Sequence, residues 1–367
     1  MPFAPLALLL APALLGQAPD AAPKFIDVVS AHFAAWDGDG DGTLSTAELD
    51  AAVADPKNTG DAAAAVSALD RADRNRKRVP LPDLTLSAIR ELAEAKPSSK
   101  TPALDRMYRE GRTRIGKIKD RALFASDLPR LDTIHQGKLG NCFCLAPIGA
   151  MVHRDPKQVA GLFALQDDGT YRVTLGHRTV TVPLPTDAEL AMTASNDQDG
   201  IWVNLYEKAV GEALRREGRP GSMVDALSRG GSAGTMLSFI TGHAIRRFGC
   251  KQATDPKLSD EERAAKLDEL RRELVEAGKD HRLVTIGTTR PTTPGLTPNH
   301  AYAVLAYDRD ADIVRVWNPH GSSFTPKGTP GPEHGYTRVD GVFSIPLTEL
   351  VRQFSGLAFE TDRPDTP

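Results

Sequence analysis

Cysteine is scarce in this chain: three residues, Cys142, Cys144 and Cys250, among 367. That number excludes a disulfide framework. Cys142 and Cys144 also lie too close along the chain to bridge one another comfortably. If the chain is exported, a Cys144–Cys250 bridge stays open. An excess of charge of one sign is lacking too; the formal net charge of −3 argues against nucleic acid as the main partner. Long apolar runs are missing. The run from Leu6 to Leu15 is too short to span a bilayer, and no other stretch reads as a membrane span. It has the size of a signal-peptide core and ends in Gly16-Gln17-Ala18, so residues 1–18 are expected to be a leader and the mature chain secreted or periplasmic.

With 40% hydrophobic and 25% charged residues, the chain can bury one sizeable core and carry a small additional module. The basic cluster Arg71, Arg74, Arg76, Lys77 and Arg78 reads as a solvated loop.

The chemistry is concentrated in a few segments. In Gln136-Gly137-Lys138-Leu139-Gly140-Asn141-Cys142-Phe143-Cys144-Leu145, a cysteine stands where an apolar helix begins. Amides and dipole at a helix N-terminus favour a thiolate, and Gln136 can donate a side-chain N–H to an oxyanion. Pro298-Asn299-His300-Ala301-Tyr302-Ala303-Val304-Leu305 places a histidine at the head of a strand-like run. A second strand, Ile313 to Trp317, ends in Asn318-Pro319-His320-Gly321. A hairpin of these two strands would set His300 beside Asn318. The chain order Cys, His, Asn is that of a papain-type triad, with Cys142 as nucleophile, His300 as its proton partner and Asn318 orienting the ring.

These segments resemble the calpain family of cysteine proteases. Its Gln-Gly-X-Leu-Gly-Asp-Cys-Trp-Leu-Leu is similar to residues 136–145, its Gly-His-Ala-Tyr-Ser-Val to residues 299–304, and its Asn-Pro-Trp-Gly to residues 318–321. Ile201 to Val210 resembles its Trp-X-X-Leu-Leu-Glu-Lys-Ala-Tyr, and Val339 to Phe343 and Phe354 to Leu357 resemble its closing segments. The resemblance implies an endopeptidase acting on protein or peptide substrates. It implies an α+β, papain-like two-lobe core, with Cys142 in a helical lobe (125–232) and His300 and Asn318 in an antiparallel sheet lobe (233–362). Alternatives from other classes are a catalytically silent binding domain and a papain-fold transferase or amidase. Asn141, Phe143 and His320 stand where the family has an aspartate and two tryptophans. At positions where the family binds calcium within its core, this chain has Thr133, Gly200 and Val342, with Asp132 one residue out of place and Asp340 kept. The core is therefore expected not to be switched by calcium.

Calcium is expected elsewhere. Asp37-Gly38-Asp39-Gly40-Asp41-Gly42-Thr43-Leu44-Ser45-Thr46-Ala47-Glu48 fills an EF-hand loop, with oxygens from Asp37, Asp39, Asp41, Thr43, Ser45 and Glu48 and a turn at Gly42. Phe25, Val29, Phe33 and Trp36 recur at helical spacing ahead of it. Residues 72–79 read as a metal-free partner loop that is one residue short, between helices at 61–70 and 83–95. The expected organisation is an EF-hand pair at 23–95, a linker at 96–124 and then the core. Family members that carry EF-hands have them after the protease core, so this order differs. In the core, Ser259 and Glu262 read as the capping box of a helix that buries Leu267, Leu270 and Leu274.

Overall fold

Apolar positions recurring every three or four residues bury one face of α1 (Phe25–Trp36), where Phe25, Val28, Val29, Phe33 and Trp36 all turn inward. The computed structural model describes residues 23–196 and 199–364, so the expected leader lies outside the described residues. A loop joins α1 to α2 (Thr46–Ala54), whose N-terminus is closed by the reciprocal Ser45–Glu48 capping box. Then come α3 (Gly60–Arg74), α4 (Leu86–Glu94) and α5 (Leu104–Lys117). Next are α6 (Cys142–Arg154), α7 (Pro156–Ala160), a meander β1 (Phe163–Leu165), β2 (Tyr171–Leu175) and β3 (Arg178–Val182), and helices α8 (Asp187–Met192), α9 (Trp202–Arg216), α10 (Met223–Ser228) and α11 (Ala233–Thr241). The remainder is β4 (His243–Gly249), α12 (Asp260–Lys279), β5 (Val284–Gly287), β6 (Ala301–Asp308), β7 (Ile313–Trp317), β8 (Arg338–Val339), β9 (Val342–Pro346), α13 (Leu347–Gln353) and β10 (Gly356–Pro364). No described helix is long and apolar enough to cross a membrane.

Two expectations about the N-terminal part are corrected. Residues 96–124 are not a bare linker, because α5 occupies their middle and buries Leu104, Tyr108, Gly111 and Ile115. Those positions fall on one helical face, and small residues let it come close to α3. A Cβ on Gly111 would sit 3.2 Å from Ser67 Oγ and 3.4 Å from Ala64. The alanine-rich α3 is buried almost all round, and its side chains belong to the same apolar core as those of α6 and α9. Thr186 Oγ1 donates to Val53 O at 2.7 Å, Gly60 N donates to Asp187 Oδ2 at 2.8 Å, and Arg74 pairs with Asp225 at 2.8 Å. The N-terminal helices are therefore part of the main body, not a detachable module. The second loop is also not short. Because α3 continues through Arg74, residues 75–85 connect it to α4, and Leu44 N donates to Leu84 O at 3.1 Å to tie the two loops together.

The C-terminal half is a seven-stranded antiparallel sheet in the order β4-β10-β5-β6-β7-β9-β8. Its far face packs on α12 and α13 through Leu270, Leu274, Leu347 and Leu350. The α12 capping box of Ser259 and Glu262 is present. Asp340 and Gly341, at φ 47° and 83°, make the two-residue turn between β8 and β9, a conformation suited to an Asp-Gly pair. The near face of the sheet meets α6. Trp317, wholly buried at the end of β7, presses its ring on Gly149 of α6, where a Cβ would fall 2.2 Å from the ring.

The shared core makes a prediction about truncation. Removing residues 1–96 strips α3 from α5 and α8, so the remaining chain should melt at a temperature lower by roughly 10 °C or more, or fail to fold, in thermal unfolding followed by circular dichroism. A soluble core with an unchanged transition would show that the helical part is separable after all.

Candidate active site

Cys142 is the first residue of α6, set up by Gly140 at φ 67° and by Asn141, whose carbonyl accepts from Cys144 N at 2.8 Å and starts the helix. Burial pushes the Cys142 thiol up from its ordinary value, while backbone N–H groups of Ala301, Phe143 and Cys142 itself pull it down. The other two thiols have no such setting. Cys144 is buried in the helical core and Cys250 in the sheet core, so all three cysteines are free and the bridge that export would have allowed is not formed. Burial pushes Cys144 well up and Cys250 to about 12.

His300 precedes β6, and Asn318 follows β7, its antiparallel neighbour. The hairpin sets His300 Nε2 2.9 Å from Asn318 Oδ1. His320 stacks on the His300 ring at 4.4 Å, and its backbone N–H also donates to Asn318 Oδ1 at 2.9 Å. Burial first, then His320 and Arg338, drives the His300 imidazole down to about 3, against the bond to Asn318. Cys142 and His300 line one cleft of about 490 Å³, together with Gly231, Arg247, Thr285 and Leu357. Among the described residues no hydrogen bond joins the thiol to the imidazole. Gln136 is not among the residues lining this cleft. Its backbone N–H donates to Pro319 O at 2.8 Å, next to Asn318, and its side-chain Oε1 is buried without a partner. Phe143 packs against Gly231 of the cleft, where a Cβ would fall 2.7 Å from its ring, but the ring itself lines a separate cavity.

In the loop after α1, ligand atoms of Asp37, Asp39 and Glu48 lie within 4.8 Å of one another. Asp37 Oδ2 accepts from Gly42 N at 2.9 Å, while Asp37 Oδ1 is buried without a partner. Asp41 Oδ1 accepts from Thr43 N at 2.7 Å. Hydrogen bonds from Ser45, and weaker ones from Gly38 and Asp39, hold the exposed Glu48 carboxyl below its usual range. In the core, Asp199, one residue before Gly200, is buried and accepts from Ser126 and from Arg130 N at 3.2 Å; Asp132 pairs with Arg130 at 2.6 Å.

Sequence reasoning assigned no role to Glu207, yet it holds the loop before Cys142. Its Oε1 accepts from Asn141 Nδ2 at 2.5 Å and its Oε2 from Ala194 N at 2.7 Å. Burial pushes its pKa up to about 7, despite those hydrogen bonds and Arg114. Folding thus favours the protonated form. That contribution is fully present below the ordinary value of 4.5 and is lost as pH climbs through about 7. Glu207→Gln keeps the shape and cannot ionise. The melting temperature of wild type minus that of Glu207→Gln should therefore fall between pH 4.5 and 8, while parallel curves would refute the assignment. Glu207→Ala, which leaves Asn141 Nδ2 and Ala194 N unpartnered, should cost roughly 1–3 kcal/mol below pH 4.5 and less as pH rises through about 7.

The family model for calpain family cysteine proteases matches residues 109–329, from within α5 to beyond Asn318. No curated protein matches the chain. The matched span exceeds half of the chain and contains Cys142, His300 and Asn318, so this protein belongs to the calpain family of cysteine proteases.

Proposed function

We propose that the chain is a cysteine endopeptidase working through Cys142, His300 and Asn318, with an N-terminal EF-hand pair whose first loop holds calcium. The observation that carries this is a single cleft containing a cysteine at a helix N-terminus and a histidine bonded to an asparagine at 2.9 Å. With Asn318 Oδ1 occupying Nε2, the ring is held with Nδ1 as its other nitrogen, free to take the thiol proton. Sγ then attacks the scissile carbonyl carbon. The oxyanion gains the Cys142 N–H and, once its side chain turns into the cleft, the Gln136 amide. The imidazolium passes its proton to the leaving amine, and water, deprotonated by the same ring, releases the acid from the thioester.

A second reading, a silent binding domain, is favoured by the raised thiol, the lowered imidazole and the absence of a bond between them among the described residues. Labelling separates the two. Cys142→Ala should abolish both epoxysuccinyl-probe labelling and peptide hydrolysis, whereas Cys144→Ala and Cys250→Ala keep both. His300→Ala should be near-dead and Asn318→Ala measurably active, with Gln136→Ala losing roughly a hundredfold in turnover. Labelling that persists without Cys142, or wild type inert to every probe and peptide, would defeat the proposal.

Calcium suits the first loop: Asp37, Asp39, Asp41 and Glu48 would give side-chain oxygens, Thr43 a carbonyl and Ser45 a hydroxyl, and Asp37 Oδ1 is a buried acceptor without a protein donor. The ion would supply charge neutralisation there and no reaction step. The core carboxylates Asp199 and Asp132 are already engaged by protein donors, which supports a core without its own calcium switch. Calcium at about 0.1–1 mM should raise the melting temperature of the intact chain, and Glu48→Gln should remove the rise. A transition indifferent to calcium would refute the loop assignment. The apolar run from Leu6 to Leu15 supports export, which N-terminal sequencing of the mature protein tests directly.

A further inference from the structure

The basic cluster after α3 does not simply face solvent. It forms one wall of a cavity of about 620 Å³ lined by Arg71, Arg74, Lys77, Arg78, Lys138 and Arg229. Arg74 is neutralised by Asp70, Asp225 and Asp50 at 2.6, 2.8 and 3.3 Å. Arg71 and Lys138 share one carboxylate, Glu110, at 3.3 and 3.4 Å. Lys77, Arg78 and Arg229 are exposed and have no carboxylate partner among the described residues. The cavity thus has a positive excess that its own walls do not cancel.

Its position gives the excess a use. Gly140 lines the cavity and stands two residues before Cys142; Gly230 lines it and adjoins Gly231 of the cleft. Cavity and cleft are therefore neighbours across the nucleophile loop on one side and the segment leading into α11 on the other. An extended peptide advances about 3.3 Å per residue, so side chains a few residues from the scissile bond can reach the cations.

We propose that this cavity is a substrate subsite that selects peptides carrying aspartate or glutamate a few residues from the cleaved bond. The proposal rests on the endopeptidase reading above and names its substrate class. The carboxylates would be held by Lys77, Arg78 and Arg229, which need no rearrangement of existing ion pairs, and salt would weaken the selection because these charges are exposed.

Two fluorogenic peptides test it, identical at the cleavable centre and flanked on both sides by glutamate or by glutamine. Cys142-dependent cleavage of the glutamine peptide tests the endopeptidase reading by itself. The glutamate peptide should then be cleaved with kcat/KM higher by about tenfold, expressed in KM, with the advantage shrinking as salt rises. Replacing Lys77, Arg78 and Arg229 together by serine should bring the ratio of the two rates towards one, with circular dichroism confirming the fold. Equal cleavage of the two peptides, or a ratio unmoved by the triple variant, overturns the subsite. If neither peptide is cleaved, anisotropy with the Cys142→Ala protein decides. Tighter binding of the glutamate peptide that depends on the three cations supports the subsite; equal binding, or stronger capture of a single-stranded oligonucleotide, refutes it.

Discussion

The arrangement of the site depends on one close contact, the ring of Trp317 against Gly149. The glycine lies on the helix that begins at Cys142, and the tryptophan ends the strand that delivers Asn318. With no Cβ between them, the sheet closes onto α6 until Ala301 N–H faces the Cys142 sulfur. Any side chain at position 149 would wedge strand from helix and widen the gap that a proton must cross. The contact is buttressed from the other side, where Gly341 lies on the Trp317 ring and its carbonyl accepts from Asn318 N at 2.9 Å. The Asp340-Gly341 turn thus fixes the β7 end from outside while α6 fixes it from inside. Packing at this density transmits small displacements without absorbing them.

The helical part is joined to this arrangement by burial, not by a tether. Leu44 of the acidic loop pairs with Leu84, α3 carries the load to α5 and α8, and Arg74 at its end reaches Asp225 of α10. Whatever stabilises the first loop therefore stabilises a core that also contains Phe143 and Leu145 of α6. An ion held by Asp37 and Glu48 would act on the stability of the whole body, although no ligand of that loop comes near the cleft.

Much of this could be read from the sequence, where the signal was local. The strand Ile313–Trp317 and the α12 capping box follow from short-range patterns, and the structure has them at those positions. The juxtaposition of His300 and Asn318 also follows, because a hairpin joins neighbours in sequence. What was not legible depends on distant partners. Charged residues dominate α5, so its stripe of Leu104, Tyr108 and Ile115 looks like linker until α3 lies against it. A glutamate inside a helix reads as solvated, and nothing near Glu207 in the chain announces that Asn141 and Ala194 need an acceptor. The basic run 71–78 becomes a cavity wall only when residues 138–140 and 228–230 close the other sides.

His320 bears on how the proposed chemistry would start. Where the family has a tryptophan, this chain stacks a second imidazole on His300 at 4.4 Å. Of the two rings, only histidine can carry a charge of the same sign as the imidazolium that the proposed catalysis would require. Arg338 adds to that repulsion, and burial works against ionisation of both Cys142 and His300. Proton transfer would then accompany attack on the carbonyl, with the developing oxyanion supplying the negative charge that makes an imidazolium tolerable. In this site the substrate, more than the asparagine, would complete the electrostatics of the pair.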